Sequence, residues 1–184
     1  KKACGFEYIR MHGLLTDDMA VYREEKGKPV YNWQYVDALY DFLVEIKVRP
    51  FVELGFMPEA LASGRKTIFW WRGNVTPPKD YDRWCDLIEA LTRHWVERYG
   101  LNEVKKWYFE VWNEPNLDGF WAGTQAEYFK LYDYAAKAVK RVSKDLRVGG
   151  PATAGNGWVP ETIAHCLSNG TPLDFVTTHT YGVD

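Results

Sequence analysis

The chain has 184 residues, 46% of them hydrophobic and 26% charged, which is enough for one domain with a buried core. Its formal net charge is -2, and Lys and Arg are scattered rather than clustered, so there is no basic field for nucleic acid. No apolar run approaches the roughly eighteen residues of a membrane span, so neither nucleic acid nor membrane is an expected partner.

Strand-like and helix-like stretches alternate along the chain, the pattern of a parallel sheet with crossover helices rather than of a sandwich or a bundle. Lys1-Lys2-Ala3-Cys4-Gly5 has no initiator Met and reads as the tail of a helix that Gly5 stops, which suggests truncation. A first strand is predicted from Phe6 to Gly13. Beyond a long loop from Leu14 to Tyr31, Asn32 is the expected N-cap of a helix with Trp33, Val36, Leu39, Tyr40, Leu43 and Ile46 on one side. A second strand runs from Val48 to Gly55, and another long segment extends from Phe56 to Pro78. Thr76-Pro77-Pro78 introduces a helix carrying Trp84, Leu87, Ile88, Leu91, Trp95 and Tyr99, which Gly100 ends.

A third strand spans Trp107 to Trp112. Thr124-Gln125-Ala126-Glu127 is a capping box opening a helix that buries Tyr128, Leu131, Tyr132, Ala135, Ala138 and Val142. A strand from Arg147 to Pro151, a short helix from Trp158 to Leu167 and a strand from Leu173 to His179 follow. The strands are mostly apolar and β-branched, as strands covered on both faces should be. No repeat, low-complexity tract or linker divides the chain, so a single domain is expected. Loops after strand ends are long and those from helix to strand short, which in a parallel α/β barrel marks the C-terminal face as the working face.

Cys4, Cys85 and Cys166 form no C-x-x-C pair and read as small buried hydrophobes. Three cysteines without a disulfide pattern fit a reducing, cytoplasmic compartment. Aromatic residues make up 16% of the chain, with nine Trp and twelve Tyr. Most of them suit core filling, and an aromatic ring with a polar tip also suits stacking on a sugar face.

The segment from Phe109 to Leu117 is the most informative stretch. An apolar strand ends at an Asn-Glu-Pro corner, and Glu114, pushed toward extended backbone by Pro115, places one carboxyl at a strand end, where it suits proton transfer. The competing reading is a loop carboxylate that caps a turn. Asn113 points differently and either donates an amide hydrogen bond to a ligand or shapes an Asx-turn. His12 and His179 close strands, whereas His94 and His165 sit inside helices and read as structural. Trp70 and Trp71 in the long loop either stack on sugar rings or pack the loop down, and Phe120 and Trp121 are placed to wall the site. Glu53 and Glu110 lie within strands, where a buried carboxylate must be paired, with Arg10 or Arg49 as candidates. No His-Glu-x-x-His or carboxylate cluster has metal-ligand spacing, so no metal or cofactor is expected.

The stretch "WYFEVWNEPNLDGFW" resembles the acid/base motif of family 39 glycoside hydrolases, in the β-xylosidase branch of the retaining (β/α)8 glycosidases. The likeness extends in order through "FEYIRMHGLL", "VRPFVELGFMP", "GNVTPPKDYDRW", "EYFKLYDYAAKAVKRV", "VGGPAT" and "DFVTTHTY". It implies a (β/α)8 barrel, and because such a barrel needs about 250 residues the chain holds part of one, its strands matching the second to the sixth. It also implies that Glu114 is the general acid/base, that Asn113 bonds the sugar 2-hydroxyl, and that His12, His179 and Tyr181 line the sugar subsite. The implied partner is a xylose-containing oligosaccharide.

The same resemblance puts the nucleophile on a Glu ending the seventh strand, and no residue of this chain matches it. Glu110 is a poor substitute, since four strand residues set it about 13 Å back from Glu114. The two unpaired sheet edges make self-association an expectation. A catalytically silent sugar-binding or assembly module is the alternative function. A nucleotide-binding domain is disfavoured, because Gly149-Gly150-Pro151 and Gly155-Asn156-Gly157 lack the G-x-G-x-x-G spacing.

Overall fold

Strand β1 (Tyr8–Arg10) is followed by a hairpin of β2 (Tyr22–Glu25) and β3 (Lys28–Tyr31) and by helix α1 (Gln34–Glu45). β4 (Arg49–Leu54) then leads to a second hairpin, β5 (Thr67–Ile68) with β6 (Gly73–Asn74), and to helices α2 (Tyr81–Tyr99) and α3 (Leu101–Val104). β7 (Tyr108–Val111), α4 (Gln125–Val142), β8 (Arg147–Ala154), α5 (Val159–Asn169) and β9 (Phe175–His179) complete this computed structural model, which describes residues 3–182. The main sheet has the order β1-β4-β7-β8-β9, with every neighbouring pair parallel. Helical crossovers join successive strands, so the architecture is the expected α/β partial (β/α)8 barrel of five parallel strands.

Side chains alternate across the strands with period two. Val52, Leu54, Phe109 and Val111 are buried in one apolar cluster with α1, α2 and α4. Phe51, Glu53, Tyr108 and Glu110 therefore share the opposite, concave face. That face reveals the curl of the sheet. Phe51 and Phe175 stand three strands apart, a separation of roughly 14 Å in a flat sheet, yet their ring centroids are 5.8 Å apart. Gly149 on β8 allows this approach, because a Cβ there would collide with the Phe175 carbonyl and lie 2.6 Å from its ring.

Several local expectations need correction. Trp33, not Asn32, is the N-cap of α1, because the Asn32 Oδ1 accepts from the Gln34 N–H two residues on, at 3.2 Å, in an Asx-type turn. Asp80 starts α2 by accepting from the Asp82 and Arg83 N–H groups, while Pro77 and Pro78 are tied to the loop near Ala62 and Ser63. β8 does not stop at Pro151, because a register shift between Pro151 and Thr153 lets the strand continue past it. Cys4 is exposed in a turn ahead of β1, while Cys85 and Cys166 are buried.

Both long loops hold hairpins. The β2–β3 turn is made by Lys26 and Gly27, both at positive φ, a hairpin geometry that glycine favours. The Thr124–Glu127 capping box forms as expected. Gly5 takes φ 70°, and the Lys1-Lys2 part of the expected helix tail lies outside the described residues.

Candidate active site

β7 ends at the corner Trp112-Asn113-Glu114-Pro115, where Trp112 (φ 73°) and Glu114 (φ 44°) both enter the left-handed region. Extended backbone at Glu114 is thus a wrong expectation. A following proline disfavours the right-handed region, and here neighbouring strands select the left-handed one. The Trp112 N–H donates to the Leu54 carbonyl at 3.2 Å and the Glu114 N–H to the Ala152 carbonyl at 2.9 Å. Asn116 exchanges two 2.9 Å bonds with Ala154. Buried Trp112 adds an anchor: its Nε1 donates to the Phe120 carbonyl at 2.7 Å, and its ring meets Phe56 and Trp121 edge-on. Such contacts offset the roughly 1–3 kcal/mol cost of a strained residue, a pattern that recurs at functional sites.

The result is a carboxyl with limited but real access. Glu114 is 7% exposed, and its Oε1 lies 2.8 Å from Nδ1 of His179 at the end of β9. Its other oxygen has no hydrogen-bond partner among the described residues. Asn113, 1% exposed, accepts at Oδ1 from the Arg10 Nη2 at 2.9 Å, which leaves its amide NH2 as the available donor.

Beneath this rim, Arg10 joins two buried carboxylates that face each other across β4 and β7. Its Nε donates to Glu110 Oε2 at 2.5 Å, and its Nη1 lies 2.9 Å from Glu53 Oε2. The same Glu53 oxygen is 2.6 Å from Nδ1 of His12. Burial raises the Glu53 pKa above its ordinary value, against the lowering by His12 and Arg10 and with a further rise from Glu110. Arg49 plays no part here, since it pairs with Glu103.

A cavity of about 450 Å³ is lined by Arg10, His12, Phe69, Asn113, Glu114, Phe120, His179 and Tyr181. It gathers five of the seven residues expected at a site: Glu114, Asn113, His12, His179 and Tyr181. Trp70 stands 92% exposed in the turn between β5 and β6. Trp71 packs against Phe56 and Phe69 and faces a neighbouring polar cavity of about 360 Å³ with Asp17 and Arg72. Trp121 is buried, with its Nε1 bonded to the Thr124 carbonyl, so Phe120 alone of that pair faces the site. Phe69 and Arg10 are the lining residues that sequence reasoning missed; Phe69 arrives on the hairpin, and Arg10 is legible in the sequence only as a charge partner. His94 and His165 bond Asp37 and Asp133 on adjacent helices. Among the described residues no group of His, Cys, Asp or Glu is arranged to hold a metal ion.

Residues 1–184 match the sequence profile of Glycosyl hydrolases family 39. The chain belongs to this family. It is 59% identical over 182 residues to a β-xylosidase of Caldicellulosiruptor saccharolyticus, covering 98% of this chain and 37% of that protein. The crystal structure of the GH39 enzyme from Xanthomonas axonopodis pv. citri superposes with a TM-score of 0.96 at 50% identity, over 100% of this chain and 36% of that one. A monomeric β-xylosidase from Caulobacter crescentus CB15 gives a TM-score of 0.94 at 54% identity, over 98% of this chain and 36% of that one. The chain therefore spans little more than a third of the length of these family 39 relatives.

Proposed function

We propose that this chain supplies the acid/base side of a retaining glycosidase site that acts on β-xylosides, chiefly xylo-oligosaccharides. The observation that carries the reading is the Glu114 carboxyl, nearly buried, lining the 450 Å³ cavity and held at one oxygen by His179. Glu114 protonates the glycosidic oxygen as the aglycone leaves; as a carboxylate it then activates the water that releases the covalent glycosyl-enzyme. The Asn113 amide donates to the 2-hydroxyl, a bond that tightens in the oxocarbenium-like transition state. His12, His179 and Tyr181 hold the same sugar. Trp70 and Trp71, on the hairpin that carries Phe69, stack on further xylose units.

Double displacement needs a second carboxylate about 5–5.5 Å from the first. Glu114 is the one carboxylate lining the cavity among the described residues, and Glu53 and Glu110 are both bound to Arg10. We therefore assign the nucleophile to a residue outside the described ones, in keeping with the Glu ending the seventh strand that the family resemblance implies. β1 and β9 each pair on one side only within the sheet, and this open geometry supports either completion by further strands or self-association.

The test is hydrolysis of an aryl β-xyloside by the chain alone and by the chain mixed with a separately produced polypeptide that supplies the following strands of a family member. No turnover alone, with turnover on mixing that Glu114→Ala abolishes, is expected. Turnover by the unmixed chain would refute the external nucleophile, and turnover indifferent to Glu114→Ala would refute the assignment of Glu114.

A further inference from the structure

We infer that Glu53 is a positioning residue for His12: it keeps the proton on Nδ1 and so presents Nε2 as a hydrogen-bond acceptor for a sugar hydroxyl. This deepens the proposed function and rests on reading the cavity as a sugar site.

The charge balance around Arg10 leaves Glu53 without a purely structural explanation. Glu110 already takes the Arg10 Nε at 2.5 Å and is itself buried. One guanidinium needs one carboxylate, and a second buried carboxylate carries a desolvation cost. Glu53 bears that cost visibly, because its Oε1 is buried with no hydrogen-bond partner. Its Oε2 does two things at once, meeting the Arg10 Nη1 at 2.9 Å and the His12 Nδ1 at 2.6 Å. The shorter of these contacts is to the histidine.

The chemistry of the donors then fixes the tautomer. A guanidinium only donates, so Glu53 Oε2 is the accepting oxygen of its contact with Arg10, and the ring nitrogen opposite that same oxygen carries a hydrogen. Neutral imidazole has one N–H, which leaves Nε2 with its lone pair. The ring is held in place by stacking on Phe69 and Phe56, at centroid distances of 5.7 and 6.1 Å. The His12 side chain is 37% exposed and lines the same cavity as Glu114, and its Nε2 has no partner among the described residues. A substrate hydroxyl supplies the missing hydrogen. The arrangement repeats a pattern known from metal sites, where a carboxylate behind a histidine sets which nitrogen faces the ligand.

Long-range 1H–15N NMR of the labelled chain, at a pH above the histidine titration range, reads the tautomer without any ligand. His12→Gln identifies the His12 signals. The wild-type chain is expected to show His12 Nδ1 in the protonated range and Nε2 in the unprotonated range; the reverse pattern would overturn the inference. In Glu53→Leu no acceptor faces Nδ1 and the pattern shifts toward a proton on Nε2, whereas Glu53→Gln, whose carbonyl oxygen can still accept from Arg10 and Nδ1 together, keeps the wild-type pattern; the other three histidines, unchanged, report an intact fold. An unshifted pattern in folded Glu53→Leu would also overturn it. Titration with xylobiose is expected to move the His12 Nε2 signal, and Glu53→Leu to weaken binding about threefold to tenfold. If the tautomer is as stated but xylobiose moves nothing, the sugar-site reading fails, and the role of Nε2 toward a sugar fails with it.

Discussion

Glu110 and Glu114 leave the same strand four residues apart and meet opposite fates. Glu110 is sealed in the concave interior and bound by the Arg10 guanidinium. Glu114 sits past the strand end, in a backbone conformation imposed by bonds to β8, with one oxygen on a histidine and access to a cavity. Residue type does not separate a structural carboxylate from a reactive one. The separation comes from how many fixed donors it has and whether a substrate oxygen can reach it. Glu53 stands between the two, buried like Glu110 but linked through His12 to the cavity that Glu114 lines.

Removing the shared cation should break the interior first. Arg10→Met leaves Glu53 and Glu110 buried without their guanidinium and is expected to cost about 3–5 kcal/mol, measured by urea unfolding. A cost below about 1 kcal/mol would mean that the two carboxylates are not held as a charge cluster. Glu53→Gln should have a smaller effect, visible in its pH dependence. Burial raises Glu53 above its ordinary value of 4.5, so the folded chain binds more protons than the unfolded one between the two values. The Glu53 contribution to stability therefore declines as pH rises from the unfolded value through the folded one and is flat beyond it, and Glu53→Gln removes that decline. Parallel stability–pH curves for the two proteins would count against the burial effect.

The rim should respond differently. Glu114→Gln is expected to leave unfolding stability unchanged or slightly raised, because active-site residues are commonly placed at the expense of stability. A large loss would move Glu114 into the structural class with Glu110. Trp70→Ala should change stability least, within about 0.5 kcal/mol, since the ring is exposed.

Much of this contrast is legible in the sequence where the cause is local. The capping box from Thr124 to Glu127 is a four-residue signal, and the Asn-Glu-Pro corner announces a strand end by its composition alone. The five strands of the sheet stand out because apolar runs alternate with helical spacing. What stays hidden depends on distant partners. The φ of Glu114 is set by the Ala152 carbonyl, and Phe69 reaches the cavity on a hairpin whose strands are two residues each. Arg10 is legible only as one of two candidate partners for the strand carboxylates, and strand order is what brings Glu53, Glu110 and Asn113 together around it. Trp70 and Trp71 show the converse, since adjacency in sequence says nothing of which ring turns outward.

Proton donation by Glu114 is tested most directly by leaving-group dependence in the enzyme completed with the following strands. Parent and Glu114→Gln are compared on two aryl β-xylosides, one whose phenol departs without protonation and one whose phenol needs it. The expected loss in kcat/KM is about 10²–10⁴-fold on the second substrate and far smaller on the first. Equal losses on the two substrates would mean that Glu114 does not protonate the leaving oxygen.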